Sequence, residues 1–439
     1  MKNQIRMITQ AVLGISVICF CAFAVTSTNA AVERPERILS SPSLYEDAGR
    51  FAFIAFGDSP NTDMEVDAKK GLDICYDKSG LTPCDDSFPP DYPKGKDKCK
   101  KYSKEEKRAL KIKFNEYRGV MLKQLAGSLK DKLSPAPMRS SFAVLSGDAI
   151  YHGGDVKYWK PFRDAFGDSI AKCPPRLFSV MGNRETCATK GGSDPMENYF
   201  NTYPCQVQEG KGLHYFAFYA GNSVFINLCS GGLGPWAIGY EQALRHDVSW
   251  NCTQGNYAQQ MAWLEQVVDY GVAKKGSKHV FVVNHKPSYA RLKHAPLAAC
   301  NDPVTALEQL KADKHSSLDF FTFQSHNHTT ELYKSPGGVT VLVAGSAGGP
   351  QRALYCDIIH EKPQPEEMFW KALGIPLNKR NARVNYFQVT VDKDNVAMQE
   401  ICLTERDGGM SFELGATIDK DGNVTAPVKK DACRLDPLK

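Results

Sequence analysis

The sequence lacks internal repeats, low-complexity tracts and any strong excess of one charge. Lys and Arg number 54 against 49 Asp and Glu, a formal net charge of +5. Over 439 residues that imbalance is too small to imply a nucleic-acid or membrane-surface partner. No two cysteines stand at CxxC spacing, which argues against a structural zinc site. Beyond residue 30 no apolar run approaches the roughly 20 residues a bilayer span needs. A hydrophobic share of 42% and a charged share of 23% are those of an ordinary globular chain, so disorder is not the default.

The one long apolar run is AVLGISVICFCAFA (11–24), after Lys2 and Arg6 and before TNA at 28–30. This is the pattern of a secretory signal peptide cleaved after Ala30. Losing Lys2 and Arg6 lowers the formal charge from +5 to +3. We expect residues 31–439 to form a single domain with its core at about 50–405. The expected location is secreted or periplasmic, with a eukaryotic secretory route left open. No membrane contact is expected after signal removal.

Of 14 cysteines, Cys19 and Cys21 fall in the leader, and the remaining even number in an exported chain suggests several disulfides. The spacing does not fix their connectivity. The Lys-rich run from Lys94 to Lys107 is interleaved with acids and reads as a solvated loop.

RFAFIAF (50–56), SFAVLS (141–146), RLFSVM (176–181) and HVFVVN (279–284) read as strands. HYFAFYA and SVFINL flank Gly221-Asn222, a hairpin signal. Further strands fit 318–323, 329–334, 339–344, 384–392 and 396–403. Helical patterns cover 104–130, through Ala109, Ile112, Leu122 and Leu125, then 156–171 and 259–276. Residues 61–103 and 361–382 read as insertions, the second carrying a short helix. Strands alternating with helices imply an α/β core, and the later hairpins a second sheet packed on the first.

One event recurs five times. An apolar strand ends, and a metal-capable side chain stands just beyond it. FIAF leads to Asp58; AVLS to Asp148 and Tyr151; LFSVM to Asn183; VFVVN to His285; DFFTFQ to His326 and His328. Ligands bind at the carboxyl ends of strands in open α/β sheets. This mixed oxygen and nitrogen set suffices for two metal ions sharing one carboxylate.

The order GDSP (57–60), GDAIY (147–151), GNRE (182–185), NH (284–285), SHNH (325–328) resembles that of the calcineurin-like metallophosphoesterase superfamily. The resemblance spans about residues 50–405 and implies a four-layer α/β (α+β) fold, two mixed sheets packed as a sandwich flanked by helices. GD-x-x-Y is most similar to the purple acid phosphatase branch, where the tyrosine ligates ferric iron and the first motif has no histidine. Pro60 is therefore tolerable. The resemblance implies Asp58, Asp148, Tyr151 and His328 at one metal, and Asp148, Asn183, His285 and His326 at the other. It implies iron paired with zinc, manganese or iron. The implied reaction is hydrolysis of a small phosphate monoester by a metal-bound hydroxide. A phosphodiesterase or nucleotidase, or a catalytically weakened metal- or phosphate-binding protein, are the alternatives.

Arg184 stands where the superfamily usually has histidine; it can clamp a phosphate oxygen but not act as a general acid near neutral pH. His294 and His152 are the candidates for a leaving-group acid. Ser325 replaces a glycine and removes no ligand. Asn251, Asn327 and Asn423 match the glycosylation sequon, and a glycan on Asn327 would sit in the site.

Overall fold

The protein is described from a computed structural model. It defines residues 33–39, 50–59, 104–130, 140–185, 193, 195–204, 215–229, 254–289, 302–348, 365–375, 383–425, 433 and 435. The leader, the 61–103 insertion and His294 lie outside these.

Seven strands form the first sheet. They are β1 (Arg50–Phe56), β2 (Phe142–Leu145), β3 (Leu177–Ser179), β10 (Asn385–Asp392), β11 (Asn395–Arg406), β12 (Gly409–Asp419) and β13 (Val424–Thr425). Their spatial order is β13-β12-β11-β10-β1-β2-β3. β1 runs parallel to β2 and antiparallel to β10, so the sheet is mixed. The second sheet has the order β4-β5-β6-β7-β9-β8. It comprises β4 (Phe216–Ala220), β5 (Ser223–Asn227), β6 (His279–Val283), β7 (Asp319–Gln324), β8 (Thr330–Lys334) and β9 (Thr340–Ala344). The two-sheet α/β architecture is as expected.

Alternation along the strands decides what lies where. One face of each sheet is rich in phenylalanine, and these faces pack together. Phe53 stacks on Phe142 at 5.3 Å within the first sheet and meets Phe225 edge-on at 4.9 Å across the interface. Phe178 stacks on Phe218 at 3.9 Å. On the outer face of the first sheet Ile54, Phe56, Leu145 and Leu177 pack under helices α1 (Lys104–Lys130), α2 (Val156–Ala171) and α3 (Pro195–Thr202). On the outer face of the second, Val224, Ile226, Val280 and Val282 pack under α4 (Gln254–Lys275) and α5 (Pro303–Asp313). The layers run helix, sheet, sheet, helix.

α1 has the expected bounds, and of the four residues that marked it Leu122 and Leu125 are buried. Ala109 and Ile112 are exposed; Phe114, Tyr117, Met121, Leu125 and Leu129 line the core side at spacings of three and four. The second insertion carries a short helix, as expected. Its helix α6 (Phe369–Ala372) buries Phe369 and Trp370, Met368 N donates to Leu332 O, and Leu332 N donates to Glu367 Oε1 at 3.2 Å. These contacts cover edge strand β8. Cys402 and Cys433 form a disulfide, and Cys173 and Cys229 are disulfide-bonded too. Among the described residues no helix is long and apolar enough to cross a membrane.

Candidate metal centre

Where β1 and β2 end, their backbones stay paired for one more step. Asp58 N donates to Gly147 O at 3.1 Å and Ser59 N to Asp148 O at 2.9 Å. This sets the two carboxylates side by side, and both residues are left-handed, at φ 52° and 54°. His326 and His328, beyond β7, are left-handed too, at 73° and 50°. Among the described residues these are four of eight non-glycine positions with positive φ. Such backbone costs about 1–3 kcal/mol each and persists only where the surroundings enforce it, typically at functional sites.

The side chains converge as two groups sharing Asp148. Asp148, His285 and His326 form one; Asp58, Asp148 and His328 form the other; within each the ligand atoms lie within 4.8 Å of one another. All five are buried. In the first group, His285 Nδ1 lies 2.8 Å from Ser146 O, a carbonyl that can only accept. Nδ1 therefore carries the proton, and Nε2 presents a lone pair. That lone pair meets Asn183 Oδ1 at 2.9 Å, His326 Nδ1 at 3.1 Å and Asp148 Oδ1 at 3.3 Å. Electron-rich atoms crowded around one point fit a cation. The donor set, imidazole with carboxylate and amide oxygen, suits a transition metal. In the second group Asp58 Oδ2 accepts from His328 N at 3.1 Å, which orients the carboxylate.

Six of the seven proposed ligands are thus brought together. The seventh, Tyr151, is half-buried, with the Arg184 guanidinium 4.9 Å over its ring and His152 edge-on at 4.3 Å. Arg184 is likewise half-buried, and its backbone N–H donates to Asp148 Oδ1 at 2.9 Å. His152 is only 2% exposed and packs against Tyr151 and Tyr158, a setting that suits a core aromatic more than a proton donor to substrate.

Sequence reasoning gave no role to three residues that hold this centre. Glu185 takes three backbone N–H groups, from Gly182 (2.8 Å), Asp148 (2.9 Å) and Ala149 (2.6 Å), tying the third motif to the second. Burial, then the Asp148 charge, pushes its pKa well up, while those N–H groups pull it down. Ser325 Oγ lies 2.5 Å from Ser146 O and 2.9 Å from His285 Nδ1, so the serine in place of glycine steadies a ligand. Arg118 reaches the same loops from α1. Charge on an apolar helical stripe was the signal available for it.

Asn327 is fully buried, so the folded chain does not offer this sequon to a glycosylating enzyme. Glu400, Cys402 and Cys433 also cluster, but the cysteines are bonded to each other and Glu400 is held by Arg383 and Asn385. That cluster is structural.

Two mixed sheets thus pack face to face, and five motif loops meet at the shared carboxylate of Asp148. Among solved structures the chain is similar to a dimetal phosphatase from Danio rerio (12% identity, TM-score 0.42, 80% of this chain and 95% of that one). It is similar to a purple acid phosphatase from yellow lupin seeds (11%, 0.41, 88% and 57%) and to PhoD (10%, 0.44, 91% and 76%). No family model matches the chain, and no curated protein matches it in sequence.

Proposed function

We propose that the protein is an exported two-metal phosphoesterase acting on phosphate monoesters. The observation that carries this reading is the convergence of His285 Nε2, Asn183 Oδ1, His326 Nδ1 and Asp148 Oδ1, with Asp148 shared by the second group. Asp58, Asp148, His328 and the Tyr151 phenolate would hold one ion; Asp148, Asn183, His285 and His326 the other. When bound, such a pair neutralises phosphate oxygens and lowers the pKa of a water to make a nucleophile. The chain itself orients. Ser146 O and Ser325 fix His285, and Glu185 fixes the Asp148 loop. Arg184, on the loop after β3 beside Glu185, supplies a fixed cation for a phosphate oxygen, and its stacking on Tyr151 preorganises it.

The test is metal content and visible absorption of protein purified without chelator, with turnover of p-nitrophenyl phosphate against bis(p-nitrophenyl) phosphate. About two metals per chain, a purple or pink band and preference for the monoester support the full reading. Two colourless metals would remove iron and Tyr151 from it, diester preference would move it to phosphodiesterases, and no metal after reconstitution with iron, zinc or manganese would refute it.

A further inference from the structure

Arg118 lies on the α1 stripe formed by Phe114, Met121, Leu122 and Leu125. It is 5% exposed. Burial pulls its guanidinium down to about 9, so it stays a cation at neutral pH. Among the described residues it makes no salt bridge. It donates instead through Nε to Ser59 O and through a terminal nitrogen to Ala149 O at 3.3 Å. Ser59 follows Asp58, and Ala149 follows Asp148. On its other side, Gly348 (φ 111°) presses against the α1 backbone; a Cβ there would stand 2.8 Å from Arg118 Cα. The neighbouring Ala347 N donates to Gly57 O at 3.1 Å.

A buried, unpaired cation is expensive, and neutral packing residues usually serve stability better. What a guanidinium provides here is geometry: planar, divergent donors that bind two carbonyls at fixed separation. We infer that Arg118 is a positioning residue that sets the spacing between Asp58 and the shared carboxylate of Asp148, and so the spacing of the two metals. This rests on the two-metal reading above. A lysine can reach one carbonyl or the other, but not both in fixed geometry. A methionine reaches neither.

The experiment titrates chelator-stripped wild type, Arg118→Lys and Arg118→Met with cobalt(II). It follows the visible d–d bands and a competing chelator, alongside thermal melts. We expect Arg118→Met to melt at or above the wild-type temperature yet bind cobalt at least tenfold more weakly at one site, with altered bands, and Arg118→Lys to recover part of the affinity. Should Arg118→Met fail to fold, tenfold weaker binding by a folded Arg118→Lys sustains the inference. Folded variants with wild-type affinities and spectra overturn it, as does loss of folding in both, which would make Arg118 a determinant of the fold alone. Wild type that takes up no cobalt brings down the two-metal reading, and this inference with it.

Discussion

Replacing Glu185 by alanine removes one carboxylate and strands three buried N–H groups at once. The bonds are 2.6, 2.8 and 2.9 Å long and end on a side chain 1% exposed. A buried N–H left without a partner costs about 1–3 kcal/mol, so the gross loss over three is roughly 3–9 kcal/mol. Burial of the carboxylate beside Asp148 offsets part of this. A net destabilisation of about 3–5 kcal/mol is expected, a large fraction of the roughly 5–15 kcal/mol typical of a whole domain. Glu185→Gln keeps an oxygen for Asp148 and Gly182 but turns an amide donor towards the Ala149 N–H, and should cost about 2 kcal/mol. Urea unfolding followed by tryptophan fluorescence measures both, with and without zinc. The alanine cost should be larger in the metal-loaded protein, because bound cations cancel the Asp148 repulsion. An alanine variant within about 1 kcal/mol of wild type, or a glutamine variant worse than alanine, would refute the reasoning.

Gly345→Ala would place a Cβ 2.3 Å from Asp58 Oδ2 and 3.2 Å from His328 N. It should displace that carboxylate and leave about one metal per chain by elemental analysis; retention of two would count against the Asp58 and His328 site. Asp302, the N-cap of α5, is pushed up to about 6, chiefly by burial. A carboxyl whose folded pKa is raised favours the fold when protonated, so its contribution is fully present below about pH 4 and lost as pH climbs through 6. The stability of wild type relative to Asp302→Asn should fall by up to about 3 kcal/mol over that window in thermal melts, and a flat difference would dispose of the assignment.

The six converging side chains were legible because each follows an apolar strand, where a local pattern fixes both element and position. The supports were not, because their partners are remote in sequence. Ser325 meets Ser146 across 179 residues, and Arg118 meets Ser59 across 59. A charge at position 118 reads as the solvent side of a helix unless its apolar neighbours at i−4, i+3, i+4 and i+7 are counted. Two elements had local signals that went unread. Asp302-Pro303 caps and starts α5, with Asp302 Oδ1 accepting from Val304 N at 2.9 Å. Asp407-Gly408, both at positive φ, turns β11 into β12 as a hairpin dipeptide should. The short helix in 361–382 was legible, but the burial of Phe369 and Trp370 depends on where β8 ends up, which no local window contains.

The two sheets contribute to the centre almost equally. Asp58, Asp148 and Asn183 come from the first; His285, His326 and His328 come from the second. The phenylalanine layer that joins them is close-packed, with Phe178 3.9 Å from Phe218 and Phe53 4.9 Å from Phe225. A cation held from both sides would act as a rivet at the strand ends, tying the alignment of the two sheets to the geometry of the centre.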